Sequence, residues 1–340
     1  MLKTIEYGEL EGDYILVDVR SPGEFEEATI KGAINIPLFD DEERKIIGTM
    51  YTRESIEKAK RLGLCVASKK LVHIYDEIKE LQKQCDKIVL FCARGGMRSG
   101  VLGTLLSSLG VNTERIMDGY KGYRKFVIES LPRLNDKVQY IVLHGNTGVG
   151  KTEILKQLER DGFDMLDLEG FANHRGSVLG TVGLGKTTSQ KEFETKIYNM
   201  LQECKSSYVF IEAESKRIGN TTIPDFIYEK MKSGLHIFVD ADIHFRTDLI
   251  IKEYTKWENC NEEIIAGLKR LQKYIGEKNV EKYSELILKS EYDEVVSELM
   301  IKHYDPMYTH SSDKYDYQLK IRVVDIKTAT EEIKNWAKIL

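Results

Sequence analysis

Gly145-Asn146-Thr147-Gly148-Val149-Gly150-Lys151-Thr152 has the full G-x-x-x-x-G-K-[ST] spacing of a phosphate-binding loop. Such a loop works only between a buried strand and a helix. The glycines permit the turn, backbone N–H groups cradle phosphate oxygens, Lys151 neutralises charge and the Thr152 hydroxyl can ligate Mg²⁺. The flanks comply, with an apolar strand pattern at 138–143 and a helical pattern at 153–160. The chain around residue 145 is therefore expected to be α/β, with the loop at the C-terminal end of a strand. Val209-Phe210-Ile211-Glu212 is expected as a second acidic strand, with Glu212 near the metal position.

About fifty residues earlier lies a second anion loop of different chemistry. A strand at 88–91 delivers Cys92, followed by Ala93-Arg94-Gly95-Gly96-Met97-Arg98-Ser99 and a helical pattern over 98–109. A cysteine becomes a nucleophile as its thiolate, which N–H groups of a tight turn, a helix N-terminus and arginines all stabilise. Cys92 is the expected nucleophile, and Arg94, Gly95, Gly96, Met97 and Arg98 form the nest for an incoming anion. The competing interpretation, a buried core cysteine, does not account for two glycines and two arginines within six residues.

At 340 residues, two domains are expected: 1–130 and 137–340, joined by a linker at 131–136 where Pro132 should end any helix. A strand at 15–19 and helices at 53–62 and 71–84 belong to the first. Strands at 208–212, 236–240 and 320–324 and a charged helical stretch over 243–303 belong to the second. Strands alternating with helices indicate a mainly parallel, doubly wound sheet. No apolar run approaches the ~18 residues of a membrane span, and the first residues lack a leader's apolar core. A cytoplasmic location without membrane attachment is expected. Five cysteines without a C-x-x-C pair argue against structural zinc or a disulfide framework. The net charge of −5 argues against a generally basic nucleic-acid binder, though not against a local basic face.

Two clusters, 167–177 and 212–219, mix carboxylates with cations and show neither helical nor strand period. They make Glu169, His174, Arg175, Glu212, Glu214, Ser215 and Arg217 candidate substrate contacts. A lone His174 would ordinarily be a satisfied surface histidine.

The cysteine loop, together with Asp18-Val19-Arg20-Ser21-Pro22-Gly23-Glu24-Phe25, Ile30-Lys31-Gly32-Ala33-Ile34-Asn35-Ile36-Pro37 and Asp118-Gly119-Tyr120, resembles rhodanese-type sulfurtransferase domains. Asp18 and Arg20 join the supporting candidates on that basis. Small rhodaneses have C-x-x-G-x-R, whereas five residues separate Cys92 from Arg98 here. Cysteine-dependent phosphatases share the longer spacing, and the longer loop admits an anion of phosphate or selenophosphate size.

Taken whole, the chain resembles the tRNA 2-selenouridine synthases, which join a rhodanese domain to a phosphate-loop domain. The strings that carry this include Asp40-Asp41-Glu42-Glu43-Arg44, Phe91 to Ser99, Asp118 to Arg124, His144 to Thr152, Asp167 to Gly176, Glu214 to Gly219 and Tyr304-Asp305-Pro306-Met307-Tyr308. Ala93 and Lys216 stand where the family is associated with an aromatic and an arginine. The resemblance implies an α/β protein: an N-terminal rhodanese-like doubly wound domain, then a P-loop NTPase-like α/β domain with a helical C-terminal part. It also implies a transferase that exchanges sulfur for selenium in wobble 2-thiouridine of tRNA, with selenophosphate as donor and an S-geranylated intermediate from geranyl diphosphate. The phosphate loop would hold the diphosphate. The cysteine loop would hold selenophosphate or a selenium adduct on Cys92. No tightly bound cofactor is expected beyond possible Mg²⁺ at Thr152, and a selenophosphate-supplying enzyme is a possible partner.

Phosphate contacts to tRNA require local Lys and Arg. Lys269, Arg270, Lys273, Lys278 and Lys282, interleaved with Tyr274 and Tyr283, form one expected patch, and Lys121 and Arg124 with Tyr123 a second. A solvated helix face is the competing interpretation of the first. Two further functions stay open at this stage: a cysteine-dependent phosphatase or sulfurtransferase fused to a nucleotide-binding domain, and a non-catalytic phosphate-binding module.

Overall fold

The computed structural model describes residues 2–307 and 314–340, so Tyr308 of the string 304–308 lies outside the described residues. The chain forms two compact units, one ending at Ser130 and one beginning at Leu131.

In the first unit, β1 (Lys3–Ile5), β2 (Tyr14–Asp18), β3 (Ile34–Asn35), β4 (Lys87–Phe91) and β5 (Thr113–Ile116) form one parallel sheet in the order β1-β5-β4-β2-β3. The runs Ile15-Leu16-Val17 and Ile88-Val89-Leu90-Phe91 are apolar without alternation, as strands covered on both faces must be. Val17, Ile88, Leu90, Leu102 and Leu106 meet in one core. Helices Asp41–Arg53, Ile56–Ser68, Leu71–Gln82 and Met97–Ser108 cross over between the strands. The helix expected at 53–62 breaks at Glu54-Ser55, because the Ser55 hydroxyl caps a new helix by accepting from the Lys58 N–H.

The expected linker at 131–136 is corrected by the structure. Gly119–Asp136 is one helix with Pro132 inside it. A proline there costs a hydrogen bond. Leu131 and Asn135, one on each side of it, are buried, and the Asn135 side chain accepts from the Tyr140 hydroxyl at 2.9 Å. Packing of that last turn outweighs the local penalty.

In the second unit, β6 (Gln139–His144), β7 (Met165–Leu166), β8 (Tyr208–Glu212), β11 (Leu235–Ala241) and β12 (Tyr317–Val323) form a parallel sheet in the order β12-β11-β6-β8-β7. The short strands β9 (Arg217–Ile218) and β10 (Thr221–Thr222) make an antiparallel hairpin outside it. β6 is central, and the chain builds to one side of it and then to the other. The crevice beyond such a switch point is where ligands bind, and the 145–152 loop leaves β6 there. A second core gathers where helices Cys260–Ile275, Glu277–Leu288 and Tyr292–Leu299 pack together. Among the described residues no helix is long and apolar enough to cross a membrane.

Candidate active sites

Cys92 follows β4 directly and is only 3% exposed. The helix Met97–Ser108 starts after it, at Gly96, with no side-chain cap, so its first N–H groups are open to an anion. The Ser99 hydroxyl donates to Cys92 Sγ at 3.2 Å. Burial alone would push the thiol up, but the Ser99 hydroxyl, the N–H groups of Ser99 and Arg94 and the Arg98 charge outweigh it. Cys92 therefore sits below the ordinary thiol range.

The loop is held from beneath by backbone. Tyr120 N–H donates to the Cys92 carbonyl at 2.8 Å and Lys121 N–H to the Ala93 carbonyl at 3.0 Å. Gly95 (φ +57°) and Gly119 (φ +56°) are left-handed where these segments meet, and a Cβ on either would fall within 3 Å of the other segment's backbone. This is the physical reason for glycine at both positions.

Arg94 is exposed at the loop mouth and Met97 is exposed at the helix start. Arg98 is not a free anion ligand as expected: its guanidinium grips Glu24 at 2.6 and 3.3 Å, and Arg44 lies 3.3 Å from the same carboxylate. Burial would raise Glu24, but Arg98 and Arg44 hold it below its usual range. Asp18 and Arg20 are a buried pair, with Arg20 Nη2 2.6 Å from Asp18 Oδ2 and its guanidinium 4.2 Å from the Tyr120 ring centre. Their role is to brace the neighbouring strand end and the Tyr120 segment.

In the second unit the loop is built as the motif requires. Gly145, Gly148 and Gly150 have φ of +148°, +81° and +89°, and a Cβ on Gly145 would lie 2.3 Å from the Val239 carbonyl. Val149 is fully buried and anchors the turn, while Asn146 and Thr147 lie on its partly open side. The helix Lys151–Arg160 also starts without a side-chain cap. Lys151 Nζ donates to the carbonyls of Gly145 and Asn146 at 2.9 and 3.4 Å.

β8 pairs with β6 so that Glu212 stands opposite Leu143. Glu169, Glu212 and Glu214 each present an oxygen within 4.8 Å of the others. Glu212 is 1% exposed, its Oε1 has no hydrogen-bond partner, and its carboxylate bonds the Thr152 hydroxyl. Burial foremost, and then the neighbouring carboxylates, raise Glu212 and Glu169 well above the usual range against the pull of Lys151, and burial raises Glu214. Oxygen donors with one orphaned buried oxygen beside a phosphate-loop hydroxyl are a donor set that fits Mg²⁺.

The remaining candidates separate. The cluster at 167–177 is in part helical: Leu168–Ala172 is a short helix capped by Asp167. The Arg175 guanidinium is spent on Glu253 at 2.7 Å, the Val182 carbonyl and the rings of Tyr254 and Trp257, so it is structural. His174 is wedged between Gly180 and Gly219, and burial lowers its pKa. Ser215 Oγ donates to the Arg217 carbonyl and Arg217 Nε to that of Gly219, so both serve the β9–β10 turn.

Of the tRNA candidates, Arg124 is 7% exposed and Tyr283 is 2% exposed, with its hydroxyl bonded to Glu298. Neither can meet a phosphate or a base. Lys282 is paired with Glu294 and Glu298. Lys121, Lys269, Arg270, Lys273 and Lys278 remain exposed, and Lys273 lies 4.8 Å from the ring centre of Tyr274, itself 61% exposed.

A residue not singled out in sequence is Arg246, buried on the helix Ile243–Tyr254. It donates to the Thr147 carbonyl at 2.9 Å and to Asp305 at 2.9 and 2.5 Å. The presence of Asp305 in the string 304–308 was the one signal for it.

Residues 138–339 match the family described as tRNA 2-selenouridine synthase AAA domain, and residues 7–128 match the rhodanese-like domain. The tRNA 2-selenouridine synthase of Photobacterium profundum is 30% identical over 95% of this chain and 94% of its own length. That of Nitrosomonas eutropha is 33% identical over 71% of this chain, but the match spans only 63% of the relative. A crystal structure of the N-terminal domain of a protein described as ATP/GTP-binding, from Clostridium difficile 630, is 45% identical over 38% of this chain and 99% of that one, with a TM-score of 0.36. With both domain matches in order and relatives aligned over nearly the whole chain, this protein belongs to the tRNA 2-selenouridine synthase family.

Proposed function

We propose that this chain replaces sulfur by selenium in wobble 2-thiouridine of tRNA, with selenophosphate as selenium donor, through an S-geranylated nucleoside made from geranyl diphosphate. The supporting observation is the pairing in one chain of a thiolate nest at Cys92 and a phosphate loop at Lys151, each opening on an uncapped helix N-terminus. In the first step the 2-thiouridine sulfur attacks C1 of the prenyl group. The C1–O bond breaks, diphosphate leaves and the nucleoside loses its N3 proton. The N–H groups of the 145–152 loop and Lys151 hold the departing diphosphate. When bound at Thr152, Glu169, Glu212 and Glu214, Mg²⁺ would supply further charge stabilisation. In the second step the selenium of selenophosphate adds at C2, and geranyl thiol, a far better leaving group than sulfide, departs with a proton. Water then cleaves the P–Se bond, inorganic phosphate is released, and selenium stays on C2 with the proton restored at N3. The loop around Cys92, with Arg94 at its mouth, holds the selenium donor.

Lys269, Arg270, Lys273 and Tyr274 offer a basic and aromatic surface for the tRNA, with Lys121 a further contact. Such a reaction on tRNA belongs in the cytoplasm, with a selenophosphate-making enzyme as supplier. The competing phosphatase requires an acid to protonate its leaving group. Glu24, next to the loop, is held ionised by Arg98 and Arg44 and does not fit that part.

The test is incubation with 2-thiouridine tRNA, geranyl diphosphate and selenophosphate, followed by nucleoside mass spectrometry. Cys92→Ala should block selenation and spare geranylation, whereas Lys151→Ala should impair geranylation first. Absence of both modified nucleosides with the wild-type protein would overturn the proposal.

A further inference from the structure

Beside the phosphate loop lies a small, apolar-walled cavity of about 70 Å³. Thr147 of the loop is among its lining residues. The wall continues along the helix Ile243–Tyr254, which touches the loop closely: a Cβ on Gly148 would fall 2.8 Å from Ile250 Cδ1, and Ile250 and Tyr254 both face the cavity. Further lining comes from Ile264, Ile287 and Val295, which belong to the buried helical core. The cavity therefore leads from the phosphate loop into apolar packing. Several lining residues carry hydroxyls, but Thr255 donates to the Ile251 carbonyl, Tyr292 to the Asn261 side chain, and Ser177 is bonded to Tyr254. Sugars and bases find few partners on such a wall, whereas hydrocarbon is stabilised by contact with it.

The wall and the loop are also tied together. Met300–Tyr304 winds as a π-helical turn, and Met300 and Tyr304 line the cavity. The next residue, Asp305, holds Arg246, and Arg246 holds the Thr147 carbonyl. Tail and head of one amphiphile would be seated by a single connected structure.

We infer that this cavity takes the hydrocarbon tail of a prenyl diphosphate whose head lies on the 145–152 loop, with Ile264, Ile287 and Val295 limiting tail length. The inference rests on the prenyl-donor reading above and adds where the tail goes and what selects it. Each fully buried methylene is worth about fourfold in affinity, so burial of about three or four carbons of the tail already raises affinity over inorganic diphosphate by about 100-fold.

Two measurements test this. The first is calorimetric binding of inorganic, dimethylallyl, geranyl and farnesyl diphosphate to the wild-type protein. Equal affinity for inorganic and geranyl diphosphate would overturn the inference without any variant. The second is prenylation of 2-thiouridine tRNA by the same three donors with wild type, Ile287→Ala and Val296→Phe, Val296 being a half-buried lining residue. Ile287→Ala should raise the farnesyl-to-geranyl ratio of kcat/KM about tenfold, and Val296→Phe should shift preference towards dimethylallyl. If wild type prenylates with geranyl diphosphate but both variants keep its donor ratios within twofold, the cavity assignment is wrong and the prenyl-donor reading survives. If no donor is used by wild type, the prenyl-donor reading fails first.

Discussion

Gly119→Ala isolates the contact that carries the cysteine loop. Gly119 has φ +56°, and a methyl there would lie 2.0 Å from the Cys92 carbonyl oxygen and 2.5 Å from the Gly95 nitrogen. Real Cβ atoms essentially never approach closer than 3.0 Å, so the Cys92 carbonyl must retreat by about 1 Å, moving the residue whose thiolate the site serves. Gly12→Ala is the matched control, with φ +81° and nothing within 4 Å. The control bears only the left-handed penalty of about 1–2 kcal/mol, partly offset by about 0.4–1 kcal/mol of lost unfolded-state freedom. It should cost about 1 kcal/mol. Gly119→Ala adds overpacking of about 1–3 kcal/mol, for a total of about 2–4 kcal/mol. Urea unfolding of the full chain followed by far-UV circular dichroism, with hydrogen exchange to localise the loss, reads the difference. Selenation of pre-geranylated tRNA should fall at least tenfold in Gly119→Ala, with geranylation unchanged. If both variants lose the same stability and Gly119→Ala keeps full selenation, the backbone contact does not position Cys92 and the reasoning is refuted.

Other expectations follow from single contacts. Cys92 has a depressed pKa, so thiolate is gained as pH rises through a value below the free-thiol range, and Ser99→Ala removes a contact that lowers it. The midpoint of iodoacetamide alkylation against pH should therefore move upward in Ser99→Ala, and an unchanged midpoint would remove Ser99 from the site. Asp305→Ala leaves Arg246, 6% exposed at its side chain, without its carboxylate. Breaking a fully buried pair costs about 3–5 kcal/mol, and the 23% exposure of Asp305 reduces this to about 2–3 kcal/mol, measurable by urea titration together with a raised KM for the prenyl donor. Glu212→Gln should weaken Mg²⁺ binding in the presence of inorganic diphosphate at least tenfold by calorimetry. Unchanged affinity would place the ion elsewhere.

Both loops were legible in the sequence because their geometry is local. A buried strand, a glycine turn and a helix start occupy a dozen consecutive residues, and left-handed backbone demands glycine wherever the chain is read. The two-domain α/β architecture followed from the same alternation. The helix through Pro132 was not legible, because its support comes from burial of Leu131 and Asn135. Nor was the division of labour among the charges. Arg94 and Arg98 look alike in the string, yet Glu24, 74 residues from Arg98, claims only the second. Arg124 and Tyr283 read as surface groups until packing buried them. The sequence by itself determined the two anion loops and the cysteine that one of them surrounds. Tertiary structure alone decided that Glu169, Glu212 and Glu214 converge and that an apolar cavity adjoins Thr147. Both depend on which strands and helices become neighbours, a matter of long-range packing that no short window of residues encodes.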